Sequence, residues 1–267
     1  FRALHQRAGA FVIPNPWDAG SARLLDQMGF EALATTSAGL AFALGRPDAE
    51  GALSRDEILD NARAIAAATG LPVSADLENG FGDAPADCAE TIRRAAQAGL
   101  VGGSIEDATG RPGDPIYGFD LAVERVRAAA AAARELPFPF TLTARAENYR
   151  CGRPGLGDTI RRLRAFQDAG ADVLYAPGLK SRDDIAALVH AVDRPVNVIM
   201  GLQGVQLGVA ELSALGVKRI SVGSALARAA WGGFLAAARE IKEHGTFGFA
   251  AKAVAFSDIN ARFKSPR

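Results

Sequence analysis

The chain has 267 residues, and its 30 Lys+Arg balance its 30 Asp+Glu to a formal net charge of zero, which removes the basic footprint of a nucleic-acid binder. No stretch of ~18 or more uninterrupted apolar residues offers a membrane span, and the start (Phe1-Arg2-Ala3-Leu4-His5) does not lead into an apolar signal core. Two cysteines, Cys88 and Cys151, cannot build a disulfide framework or a four-thiolate zinc site, and three histidines leave no room for a multi-histidine metal centre, so a reduced, cytoplasmic protein working through carboxylates, arginine, hydroxyls and backbone amides is expected.

Short apolar or β-branched runs alternate along the chain with longer helical stretches. Strands are expected at Phe11–Pro14, Ala32–Thr36, Pro72–Asp76, Leu100–Glu106, Phe138–Arg145, Asp172–Pro177, Pro195–Met200 and Val217–Val222. Helices are expected at Ala19–Met28, Ser54–Thr69, Asp87–Ala98, Leu121–Leu136, Asp158–Ala169, Arg182–Val192, Gln206–Leu215 and Ala225–His244. Ser54-Arg55-Asp56-Glu57 reads as a capping box, and Gly29, Gly70, Gly99, Gly170 and Gly216 stand where helices should end.

Eight strand–helix units without a dividing linker predict a single α/β domain over 1–267, a (β/α)8 TIM-type barrel, with a doubly wound open sheet as the competing arrangement. Beyond the eighth unit, a helical extension is expected within 245–267. Its apolar positions Phe249, Val254, Phe256, Ile259 and Phe263 carry more apolar surface than a solvated tail should expose. That helix is expected to pack on this barrel or to be exchanged with a neighbour, in a homo-oligomer that is most simply a tetramer.

In such a barrel the site lies at the carboxyl ends of the strands. There stand Thr35-Thr36-Ser37-Ala38, Asp76-Leu77-Glu78, Glu106-Asp107 and Arg145-Ala146-Glu147, with Asp48 in the connection after the second strand. Carboxylates crowded at one mouth repel one another unless a cation sits among them, and oxygen donors without Cys or His favour Mg²⁺ or Mn²⁺. The alternation Asp76-Leu77-Glu78 would place both carboxylates on one side of an extended chain. Arg145 ends the apolar run Phe138–Ala144 and needs an anion, supplied by the protein or by a substrate. Glycines after the seventh and eighth strands, Gly201–Gly204 and Gly223-Ser224, would also suit a phosphate, although tight turns need glycine anyway.

At these residues the sequence resembles the isocitrate lyase/phosphoenolpyruvate mutase superfamily. The resemblance rests on Ile13-Pro14-Asn15-Pro16-Trp17-Asp18, Thr35–Gly39, Leu44-Gly45-Arg46-Pro47-Asp48, Asp76–Gly82, Ile105-Glu106-Asp107 and Ala144-Arg145, in order and with the right spacing, and runs from about Phe1 to about Ala236. It implies a Mg²⁺-dependent barrel that handles small 2-oxo or 2-hydroxy carboxylic acids through an enolate. Carried over residue by residue, Asp76 would bind the metal, while Asp48, Glu78 and Glu106 would hold its waters. Arg145 and the Thr36-Ser37-Ala38 turn would bind the substrate carboxylate and its developing oxyanion, and Asn197 would face the substrate.

The departures bear on the reaction. Isocitrate and methylisocitrate lyases carry a Lys-Arg-Cys-Gly-His-type segment after the fourth strand, where this chain has Ala108-Thr109-Gly110-Arg111-Pro112-Gly113. Arg150-Cys151-Gly152 follows the fifth strand instead and reads as a lookalike. The lysine of the mutase and phosphonopyruvate-hydrolase gating loop is missing too. Gly110–Tyr117 supplies a Gly/Pro-rich lid whose Tyr117 could donate a proton or simply pack on a helix, so the candidate catalytic residues are Arg145, Thr36 and Tyr117. A lyase that breaks a carbon–carbon bond in a di- or tricarboxylic acid is expected. A phosphonopyruvate-type mutase or hydrolase, and a non-catalytic barrel that binds a small acid, are the alternatives.

Overall fold

A computed structural model describes residues 1–48, 51–179 and 181–264. The eight expected strands are all present: β1 (Phe11–Ile13), β2 (Leu33–Ala34), β3 (Val73–Asp76), β4 (Gly102–Glu106), then β7 (Thr141–Arg145), β8 (Val173–Tyr175), β9 (Val196–Ile199) and β10 (Arg219–Ser221). All seven pairings between them are parallel, in the order β1-β10-β9-β8-β7-β4-β3-β2. At the seam the Ala34 amide donates to the Pro14 carbonyl at 3.1 Å, which brings β2 back to β1 and rules out the open sheet. The chain is a (β/α)8 barrel.

Helices α1 (Arg2–Gln6), α2 (Ala19–Gln27), α3 (Ser37–Ala43), α4 (Arg55–Ala67), α5 (Pro85–Gln97), α6 (Phe119–Arg134), α7 (Leu156–Asp168), α8 (Arg182–Ala191), α9 (Val209–Ala214) and α10 (Ala225–His244) accompany the strands. The expected capping box forms at α4, where Ser54 accepts from the Glu57 amide and Glu57 reaches back to the Ser54 amide. Strand alternation sorts the side chains. Leu142 and Ala144 of β7 pack in the apolar layer beneath the helices, whereas Thr143 and Arg145 turn into the lumen. No described helix is long and apolar enough to cross a membrane.

Four elements differ from the sequence-based expectation, the first being α1 (Arg2–Gln6), where no helix was expected. Ser37–Ala43 is a helix, with the Thr36 hydroxyl accepting from the Gly39 amide at 3.2 Å. Gly39 is there for close packing, since a Cβ would lie 2.6 Å from Thr36 Cγ2 and 2.9 Å from Trp17 Cβ. The lid after β4 is an antiparallel hairpin, β5 (Ala108–Arg111) with β6 (Asp114–Ile116), because Pro112-Gly113 makes the turn. The extension divides into a 3₁₀ turn (Gly248–Lys252) and α11 (Phe256–Lys264), with extended backbone at Ala253 breaking the single helix expected over Phe249–Phe263; residues 265–267 lie outside the described ones. α11 runs back along α2, where Arg23 and Gln27 donate to the carbonyls of Phe263 and Arg262.

Candidate active site

A cavity of about 210 Å³ opens at the carboxyl ends of the strands. Asp76, the last residue of β3, is gripped from two sides. Its Oδ2 accepts from the Ser37 hydroxyl at 2.9 Å and from the Ser37 amide at 3.4 Å, and its Oδ1 accepts from Arg145 Nη1 at 2.8 Å. Arg145 also reaches Glu106 through Nη2 and Glu147 through Nε, each at 2.8 Å. At the rim, Arg150 lies 3.6 Å from Glu147 and 3.9 Å from Asp48.

Burial sets the electrostatics of this cluster. Removal from water pushes the Glu106 carboxyl well above its ordinary range, Glu147, Asp76 and Glu78 push the same way, and Arg145 opposes them. For Arg145 burial disfavours the charge, but Glu106, Glu147 and Asp76 together hold the guanidinium firmly protonated. Behind them Asp107 accepts from the Glu147 amide and pairs with Arg162 at 3.0 Å. Burial nevertheless raises its carboxyl to about 7.

Strand register carries the lining around the barrel. Glu106 stands opposite Arg145, Arg145 opposite Tyr175, Tyr175 opposite Asn197, and Asn197 opposite Arg219. The acidic side therefore gives way, across the next three strands, to a phenol, an amide and another guanidinium. Asn197 accepts from Arg219 Nε at 2.9 Å and donates to the Ser221 hydroxyl at 3.0 Å.

Of the residues singled out in the sequence, Thr36, Ser37, Ala38, Asp48, Asp76, Glu78, Glu106, Arg145 and Asn197 all line this cavity. Two readings are corrected. Tyr117 does not reach the cavity: it is buried behind the hairpin, donates to Asp83 at 2.6 Å and lies under the Arg125 guanidinium of α6, which fits the helix-packing reading rather than a lid acid. Arg145 meets protein anions, the carboxylates of Asp76, Glu106 and Glu147, which is one of the two alternatives the sequence left open. Asp76 and Glu78 do not share an extended strand, since β3 ends at Asp76, Leu77 is fully buried, and Glu78 has left-handed φ of 46°.

Sequence reasoning named Glu147 and Arg150 without giving either a role and passed over Tyr175 and Arg219; all four line the cavity. Inward parity on β8 and β10 was the signal for Tyr175 and Arg219. Cys151 lies nearer the chemistry than its place after the fifth barrel strand suggested: it lines the cavity, and its thiol donates to the Pro115 carbonyl of the hairpin at 3.2 Å.

The donor set suits a hard divalent cation. Five carboxyl side chains (Asp48, Asp76, Glu78, Glu106, Glu147) and three guanidiniums (Arg145, Arg150, Arg219) line the cavity, so acidic groups outnumber basic ones. Among the described residues no three His, Cys, Asp or Glu converge into a complete cage. Mg²⁺ does not require one, because it keeps several waters and takes one or two carboxylates directly.

The comparisons with known proteins agree with this geometry. Residues 1–242 match the phosphoenolpyruvate phosphomutase family. A curated 2-methylisocitrate lyase of Escherichia coli is 29% identical over 73% of this chain and 67% of its own length, and a 2,3-dimethylmalate lyase of Eubacterium barkeri is 28% identical over 77% and 72%. Among solved structures, a Burkholderia cenocepacia protein described only as a lyase/mutase is 65% identical with a TM-score of 0.97, covering 100% of this chain and 95% of its own. An oxaloacetate acetylhydrolase bound to its product oxalate is 28% identical with a TM-score of 0.88, covering 98% and 91%. The chain belongs to the phosphoenolpyruvate phosphomutase family and is an enzyme of the isocitrate lyase/phosphoenolpyruvate mutase superfamily.

Proposed function

We propose that this enzyme is a Mg²⁺- or Mn²⁺-dependent lyase that breaks a carbon–carbon bond in a small 2-oxo or 2-hydroxy di- or tricarboxylic acid, through an enolate. The observation that supports this most directly is Asp76, clamped between Ser37 and Arg145 at the edge of a cavity lined by five carboxylates and three guanidiniums. Asp76 would be the direct protein ligand, Asp48, Glu78 and Glu106 would hold the ion's waters, and the ion would supply positive charge to the substrate's carboxylate and 2-oxygen.

The chain's own residues do the rest. Ser37 fixes one Asp76 oxygen and Arg145 the other, so the carboxylate has little freedom to turn. A guanidinium has five N–H donors, and three protein carboxylates engage three of those on Arg145. Two remain for a substrate carboxylate. The Thr36 hydroxyl already accepts from Gly39, so its own proton can be donated to an oxyanion in the cavity.

Names among the relatives support small acids of this kind, and a phosphonomutase of Burkholderia cenocepacia, 36% identical over 90% of this chain, keeps phosphonate chemistry as the second reading. The missing lysine after β4 weighs against it. The test is a panel of 2-oxo, 2-hydroxy and phosphono acids assayed with Mg²⁺, with isocitrate and 2-methylisocitrate included as expected non-substrates. Turnover should vanish in excess chelator, and Asp76→Ala should lose more activity than Glu78→Gln. Full turnover under chelation, or an active Asp76→Ala, would overturn the proposal.

A further inference from the structure

The lumen on the far side of Arg145 from Asp76 holds a cluster that the carboxylate site does not explain. Tyr175 projects inward from β8, lies 7% exposed, and lines the cavity between Arg145 and Asn197. The Arg145 guanidinium lies over its ring, 5.2 Å from the centroid. The Tyr175 side chain is part of the cavity lining, and its hydroxyl is not among the buried atoms left without a partner. One strand further, Arg219 is 6% exposed and meets only neutral partners, Asn197 Oδ1 and Thr143 Oγ1, each at 2.9 Å. Its Nη1 has no hydrogen-bond partner among the described residues.

A guanidinium held out of water without a counter-ion is unfavourable as it stands. Such a charge becomes favourable when an anion forms beside it, which is how preorganised active-site charges act on a transition state. Burial lowers Arg219 to about 10, and an ionised Tyr175 would favour its charge. Burial likewise pushes the phenol up, so it stays protonated at neutral pH and has a proton to give.

We propose that Tyr175 is the proton donor of the reaction, delivering its phenolic proton to the enolate carbon, and that Arg219 is the positioning charge that stabilises the phenolate left behind. This rests on the lyase reading above. For a 2-hydroxy acid the step balances as follows. The bond from the carbinol carbon to its neighbour breaks, its electron pair passes into the enolate, and the carbinol hydroxyl proton goes to water as the carbonyl forms. The Tyr175 O–H bond then breaks as a C–H bond forms on the enolate carbon, and the phenolate takes a proton back from water. No net proton is gained or lost, and no oxidant is needed.

The test uses the wild-type enzyme, Tyr175→Phe, Arg219→Gln and Arg219→Lys on whichever acid of the panel is turned over, with oxalate as a binding probe. Tyr175→Phe keeps the ring over Arg145, so thermal stability and oxalate affinity should hold within about threefold while kcat falls at least ~100-fold, the range typical of a lost general acid. Arg219→Gln should lower kcat about tenfold with little change in KM, and Arg219→Lys should recover part of it. A Tyr175→Phe enzyme within threefold of wild-type kcat overturns this assignment alone. A wild type inert toward every acid overturns the lyase reading and the assignment with it. Should Tyr175→Phe fail to fold, Arg219→Gln decides, and an unchanged kcat in that variant overturns the proposal.

Discussion

Arg145 shows how much of this site hangs on one side chain. It brings together Asp76, Glu106 and Glu147, which sit at the ends of three strands and would repel one another without it. Its planar fork points three donors in three directions, a task an ammonium group cannot perform. Arg145→Lys keeps the charge but loses that geometry, and transition-state stabilisation should fall by at least ~2 kcal/mol. Steady-state kinetics on the substrate found by the panel would show it; unchanged kcat/KM would leave Arg145 a structural ion pair only. The sequence revealed that an arginine ended an apolar strand and had to meet an anion. It could not reveal which anion, because two of the three carboxylates lie 69 and 39 residues away and converge only when the barrel closes.

At the scale of elements, the loop after β3 is the most constrained part of the site. Glu78 and Phe81 both adopt left-handed φ, 46° and 63°, a conformation that costs a non-glycine residue on the order of 1–3 kcal/mol. Arg125 of α6, 1% exposed, holds this loop by donating to the carbonyls of Asn79, Gly82 and Asp83. Tyr117 and Arg111 of the hairpin segment bond to the Asp83 carboxylate, so hairpin and loop are tied to one anchor. Removing the guanidinium takes the donor away from three part-buried carbonyls, at up to about 1 kcal/mol each. Arg125→Leu should therefore lower the melting temperature markedly and reduce activity by displacing Glu78. Tyr117→Phe loses one hydrogen bond, about 1 kcal/mol, and should keep kcat within a few-fold. Calorimetry and kinetics on the two variants would separate these roles, and a Tyr117→Phe enzyme that folds but has lost its turnover would restore Tyr117 as an acid. The eight strands were legible because each is a short apolar run between glycines and helical periods. The α3 helix and the hairpin were not, because Gly39 and Pro112-Gly113 look like loop residues whether they serve close packing, a strand turn or an open lid.

For the whole molecule, the informative feature is apolar surface that the barrel does not cover. Along α10, Leu226, Trp231, Phe234, Leu235 and Ile241 remain exposed, and Phe247, Val254 and Phe256 continue the exposure into the extension. Phe42, Arg46, Arg228, Trp231, Gly232 and Leu235 line a shallow apolar groove beside α10. Burying one such aromatic is worth on the order of 1.5–3 kcal/mol, so the combined surface favours association strongly. The hydrogen bonds from Arg23 and Gln27 to the end of α11 show that the extension has a seat on α2 of its own barrel. Yet Phe256 at the start of that helix stays 81% exposed, so the seat leaves its apolar face uncovered. A second copy offering the same α10 face is the partner of matching chemistry, through a self-complementary contact that closes on itself. We expect a homo-oligomer, most simply a tetramer assembled from dimers, with α11 either seated as in the single chain or exchanged between neighbours. Sedimentation at micromolar concentration should show no stable monomer, and truncation after His244 should weaken assembly by removing part of this surface. A full-length chain that sediments as a monomer would refute the association, while a truncated chain that assembles undiminished would place the whole interface on α10 and leave the extension no part in it.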